Sequence, residues 1–178
     1  MCSSDLPYTG TTRLEVGVGA HDREAFLMLH GDRPTAEALA DVVTSVRSHR
    51  ADAASGHPLA RLARERLLRA VVVADPSLVG AVRVEAVPPP EPRTNLKDPV
   101  PCVAVAHCAD GSTTVLVLTT GIDLDAVPTC VDARSATGID RCEVVLPPRD
   151  AIELQHSLAA LVVPPAALRT IDIASVRP

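Results

Sequence analysis

Aromatic side chains are almost absent from this chain. Tyr8 and Phe26 are the only two, and there is no tryptophan. A core built without rings has to be aliphatic, and 47% hydrophobic content supplies it. That content excludes disorder as the global state. The scarcity of rings also argues against single-stranded nucleic-acid binding, which draws ~1–3 kcal/mol per base from stacking. The formal net charge of −5 points the same way, because nucleic acid selects basic surfaces. No apolar run approaches the ~18 residues that a membrane-spanning helix needs. Neither a nucleic-acid nor a membrane partner is expected, which leaves a protein or a small molecule. A cytoplasmic location is expected; no signal-peptide pattern is visible, although a missing N-terminus would have removed one.

Lysine and asparagine are each represented once, by Lys97 and Asn95. The remaining basic residues are arginines. An excess of Arg, Ala, Val and Pro fits a GC-rich, bacterial genome. Paired cysteine motifs are also missing. Cys102, Cys108, Cys130 and Cys142 contain no C-x-x-C pair, so they read as small buried hydrophobes rather than a disulfide framework. A zinc site built from them and His107 lacks ligand spacing, and no metal is expected.

The opening hexapeptide Met1-Cys2-Ser3-Ser4-Asp5-Leu6 matches the translation of a sequencing-adapter end. Residues 1–6 are therefore expected to be foreign to the protein, and the native N-terminus to be truncated.

Hydrophobic periodicity organises the rest of the chain. Residues 13–19 (RLEVGVG) alternate like a strand. Ala36, Leu39, Ala40, Val43 and Val46 recur at helical spacing over 35–47, and a second helix is predicted over 59–74. A strand over 81–87 precedes Pro88, Pro89, Pro90, Pro92, Pro99 and Pro101, a stretch too rich in proline for helix or central strand. Beyond it, 103–108 and 114–119 read as apolar strands around the Asp110-Gly111 turn. A helix over 125–136, a strand over 142–146, a helix over 150–162 and a strand over 168–173 complete the pattern. The expected fold is α/β: a small, mixed, mostly parallel sheet (hairpin plus β-α-β-α) flanked by helices. The expected organisation is an α-rich N-terminal lobe over 7–87, a Pro-rich linker over 88–101 and an α/β lobe over 102–178.

In open α/β sheets ligands lie beyond the carboxyl ends of the strands. That criterion selects Thr119, Thr120, Gly121, Asp123 and Asp125 after one strand, and Arg149 and Asp150 after the next. Two carboxylates opposite an arginine suit a polar ligand, with Arg93 and Lys97 as contributors from the linker. Asp125 and Asp150 also stand where N-caps belong, which leaves Asp123 the more suggestive residue. A second cluster, Glu15, His21, Asp22, Arg23 and Glu24, surrounds the turn after 13–19. It reads as an acid-rich helix start or, with His30 and Asp32, as a catalytic pocket. Gly17-Val18-Gly19 opens like a dinucleotide fingerprint, but Asp22 occupies the third glycine position and would repel a pyrophosphate. The arginines of 59–74, partly balanced by Glu65, read as a solvated face or as a protein or phosphate contact.

The helix-β-β-β-α-β order resembles the restriction-endonuclease-like fold. That resemblance implies an acidic residue on the second strand and Glu-x-Lys on the third. Here the second strand reads VAVAHC (103–108) and the third VLVLTT (115–120), so the resemblance implies an inactive copy. No complete catalytic constellation occurs anywhere. The expectation is a non-catalytic binding or scaffolding module; the alternative is an enzyme or small-ligand domain with a polar site at the ends of the 115–118 and 142–146 strands.

Overall fold

The computed structural model describes residues 34–51, 63–91 and 99–172. The chain divides into two compact units between Asp52 and Ala53, and each is described by itself.

In the first unit the described element is helix α1, Thr35–Ala51. Pro34 stands just before it, and its carbonyl accepts the amides of Glu37 and Ala38 at 3.0 and 3.1 Å. Proline suits this end, where a backbone donor would have no intrahelical partner. The apolar stripe expected to form a core is largely on the surface: Leu39 and Val43 are 43% and 36% exposed, while Ala38, off that stripe, is buried. The candidate cluster Glu15, His21, Asp22, Arg23 and Glu24 lies outside the described residues.

The second unit is a five-stranded sheet with helices on both faces. Its described elements are α2 (Arg64–Ala74), a 3-10 turn (Pro76–Val79), β1 (Arg83–Val87), β2 (Cys102–His107), β3 (Thr113–Leu118), α3 (Ala126–Thr137), β4 (Cys142–Leu146), a 3-10 turn (Pro148–Asp150), α4 (Glu153–Leu161) and β5 (Ala167–Thr170). The strands lie in sequence order, β1-β2-β3-β4-β5. The α/β class stands, but a mostly parallel sheet does not. β1–β2 and β2–β3 are antiparallel, while β3–β4 and β4–β5 are parallel.

The connections explain the balance. Parallel neighbours need a crossover of a dozen or more residues, usually a helix, and α3 and α4 are the two interstrand helices available. The β2–β3 link is a tight hairpin. The β1–β2 link, 88–101, carries prolines at 88, 89, 90, 92, 99 and 101, and each proline removes a backbone donor that a crossover helix would need. β1 therefore returns antiparallel onto β2, with Val87 opposite Val103 and Arg83 opposite His107. This pairing places α2 and β1 in the same compact unit as residues 102–172.

Alternate residues of the strands feed two cores. Ala104, Ala106, Leu116, Leu118 and Val145 pack with Leu68 and Val72 of α2 on one face. Val103, Val115, Val117, Val144 and Leu146 pack with Val127, Cys130 and Ala133 of α3 and Ala159 of α4 on the other. Burial on both faces is why β2 and β3 lack polar alternation. Each fully buried Val or Leu contributes about 1.5–3 kcal/mol of transfer free energy, and Leu116, Val117, Leu118 and Val145 are all at most 1% exposed. Cys130 and Cys142 belong to the second core. There, the contact with Cys142, reinforced by burial, pushes the Cys130 thiol far above its ordinary range, so it behaves as a small hydrophobe.

The hairpin follows its sequence signal. Gly111 takes the left-handed conformation at φ 80°, which only glycine adopts without strain. Asp110 Oδ1 accepts from the amide and hydroxyl of Ser112 at 2.9 and 2.7 Å. Those bonds hold the Asp110 carboxyl below the usual carboxylate range.

Candidate functional site

β3 and β4 are adjacent and parallel, with Leu118 opposite Val145. Their carboxyl ends therefore open side by side, and the two loops chosen from the sequence meet there. The ladder continues one step beyond β3, with the Thr119 amide donating to the Val145 carbonyl at 3.0 Å. Thr119 is fully buried, and its hydroxyl donates to Asp123 Oδ2 at 2.8 Å. Asp123 Oδ1 accepts the Asp125 amide at 3.0 Å. One carboxylate thus closes the loop between β3 and α3 at both ends.

The second loop is tied to the first by Asp150. Its Oδ2 accepts the Gly121 amide at 2.7 Å, across 29 residues of sequence. Asp150 is only 7% exposed. Gly121 sits at φ 82°, and that conformation turns its amide toward the second loop. Arg149 stays on the surface, its side chain 70% exposed and its Nε 3.5 Å from Asp150 Oδ1. Thr120 is half-buried. Arg93 and Lys97 lie outside the described residues.

Two capping assignments change. Asp125 occupies the N-cap position of α3 but makes no side-chain cap bond; the neighbouring carboxylate of Asp123 takes the Asp125 amide instead. Asp150 does not cap α4, which begins at Glu153 behind Ile152. Two prolines, Pro147 and Pro148, place Asp150 inside a 3-10 turn that precedes the helix. The residue with no expected structural duty, Asp123, has two.

Gln155 is the participant that sequence reasoning missed. It is the sole glutamine of the chain, and it is 1% exposed. Its Nε2 donates to the Asp123 carbonyl at 3.3 Å, while its Oε1 is buried without a partner. The available signal was its spacing: Gln155 stands four residues before buried Ala159, on the inward face of α4. Arg134, also overlooked, is buried on α3 and donates to the carbonyls of Pro164 and Pro165 at 2.6 and 3.3 Å.

Around this polar junction three large apolar side chains reach solvent. Ile122, Leu124 and Leu154 are 68%, 49% and 48% exposed. Among the described residues no group of three or more His, Cys, Asp or Glu side chains is gathered so as to hold a metal ion, and no helix is long and apolar enough to cross a membrane. No protein-family model, curated protein or solved structure matches the chain.

Proposed function

We propose that the five-stranded unit is a non-catalytic binding or scaffolding module, with the loops at the carboxyl ends of β3 and β4 as a rigid, presented surface. One observation carries this reading. Of the carboxylates best placed for chemistry, Asp123 gives both oxygens to the Thr119 hydroxyl and the Asp125 amide, and Asp150 gives Oδ2 to the Gly121 amide with Oδ1 facing Arg149. A general base or metal ligand needs a free lone pair aimed at an open site, and these carboxylates are turned into the loops they join. The element order α2-β1-β2-β3-α3-β4 supports the reading independently. It is the order that resembles a restriction-endonuclease-like domain, with Val, Ala and Leu where that domain's carboxylates and lysine would stand.

The second reading, a small-ligand or enzyme site at the same junction, is favoured by the partnerless Oε1 of Gln155. A buried acceptor of this kind calls for a donor from a ligand or an ordered water.

Stability separates the two. Residues that serve a ligand tend to be destabilising when the site is empty, so their removal stabilises the fold. Residues that close loops do the opposite. Asp123→Asn and Asp150→Asn are therefore expected to lower the urea midpoint of the unliganded protein. A raised midpoint for both would overturn the non-catalytic reading in favour of the ligand site.

A further inference from the structure

A second polar feature lies apart from the loop junction, on α2. Arg66 and Arg69 are three residues apart and so share one side of the helix. Together with Pro89, Val100, Pro101 and Cys102 they line a cavity of about 40 Å³. At ~10–15 Å³ per water-sized group, it holds two to four such groups, about the size of a carboxylate.

The two arginines differ from three of the other described arginines. In a chain with more acids than bases, Arg83, Arg149 and Arg169 each face a carboxylate, on Glu85, Asp150 and Glu143. Among the described residues neither Arg66 nor Arg69 has an ion pair. Glu65, next to them in sequence, is buried with Oε2 partnerless and does not reach either one. Arg69 is nevertheless held in place. Its Nη1 donates to the carbonyls of Val87 and Val103 at 3.3 and 3.2 Å, residues that face each other at the end of the β1–β2 ladder. A guanidinium carries five N–H donors, so anchoring through Nη1 leaves the Nε and Nη2 hydrogens unused. Those two nitrogens form the planar fork that matches a carboxylate bidentately. The rest of the lining, Pro89, Val100, Pro101 and Cys102, brings no charged side chain.

We propose that this cavity binds a small carboxylate, gripped by the anchored fork of Arg69 and closed over by Arg66. Arg69 is pre-organised by the sheet, so the ordering cost on binding falls mainly on Arg66. The planar anion is preferred to a tetrahedral one because the fork is planar and the cavity is small. The site is independent of the loop junction and stands whether or not that junction binds anything.

The test is an NMR titration of the full chain with sodium acetate, inorganic phosphate and sodium chloride at matched ionic strength. Acetate should move the Nε–H signals of Arg66 and Arg69 and the amides of Val100 and Cys102 along one saturable curve, with chloride inert and phosphate weaker. Arg66→Ala, on an exposed position, should weaken acetate at least tenfold. Arg69→Lys should also weaken it, since a point charge replaces the fork. Arg141→Ala, an exposed arginine elsewhere, should bind as the parent does. The proposal fails if acetate gives no saturable shift, if chloride reproduces the acetate shifts, if Arg66→Ala binds undiminished, or if phosphate alone saturates.

Discussion

The two ends of β3 are closed by the same kind of residue in different ways. At its start, Asp110 accepts from Ser112, two positions away, and Gly111 supplies the left-handed turn. At its end, Asp150 accepts from Gly121, 29 positions away, and Gly121 again supplies a left-handed turn. The first closure is exposed and local. The second is part-buried and exists only when β3 and β4 lie side by side. A local closure stabilises a turn wherever that turn forms. A long-range closure stabilises the arrangement of the sheet.

The largest effect that sharpens this contrast is expected for Asp150→Ala. It deprives the Gly121 amide of a charged acceptor inside the fold, and hydrogen bonds to charged groups contribute about 1.5–3 kcal/mol. Urea denaturation should show a loss of about 2 kcal/mol, with hydrogen exchange accelerated at Gly121 and at Thr119. A change that leaves exchange at Gly121 untouched would mean the long-range tie does not hold the loop.

Gly111→Ala and Gly121→Ala form a matched pair. Both glycines have positive φ, and a Cβ at either position meets nothing within 4 Å. The cost is then conformational alone, about 1–2 kcal/mol for each, and the two midpoints should shift together. A much larger loss at Gly121 would show that its turn does more than orient an amide.

Gln155→Leu is expected to move stability by less than about 1 kcal/mol. It removes the bond to the Asp123 carbonyl but also relieves the partnerless Oε1, and the two terms oppose each other. A loss above about 2 kcal/mol would mark Gln155 as a full member of the closure, with Oε1 satisfied by an ordered water.

The smallest effect is expected at the hairpin. Hydrogen bonds from Ser112 lower the folded carboxyl of Asp110, so the stabilisation is present above the ordinary aspartate pKa of about 4 and is lost as pH falls through the lowered folded value. Asp110→Asn should therefore differ from the parent at about pH 6, and the difference should shrink as pH falls through the lowered folded value, measured by urea midpoints at each pH. Parallel curves across that range would remove the carboxylate from the account of the turn.

Local chemistry was legible in the chain alone. The Asp110-Gly111 turn, the 103–108 and 114–119 strands, the 125–136 helix and the 142–146 strand all follow from short-range pattern. The site was half legible. Topology alone named the loops that meet, because parallel strands joined by a helix open at one edge. The roles within them were misassigned, since capping was inferred from position. Asp123 takes donors four residues before it and two after it, whereas Asp150 takes a partner that only the folded loops bring into reach, and Pro147-Pro148 displaces Asp150 from the helix it was expected to cap.

Periodicity and turn residues by themselves determined which segments become strands and helices, since those preferences act over a few residues. Only the tertiary structure decided that β1 crosses the Pro-rich segment to pair antiparallel with β2, which makes the sheet half antiparallel rather than mostly parallel. Only the tertiary structure turned the carboxylates at the carboxyl ends of β3 and β4 inward: the buried Thr119 hydroxyl takes Asp123 of its own loop as acceptor, and the half-buried Gly121 amide takes Asp150, which the neighbouring strand delivers.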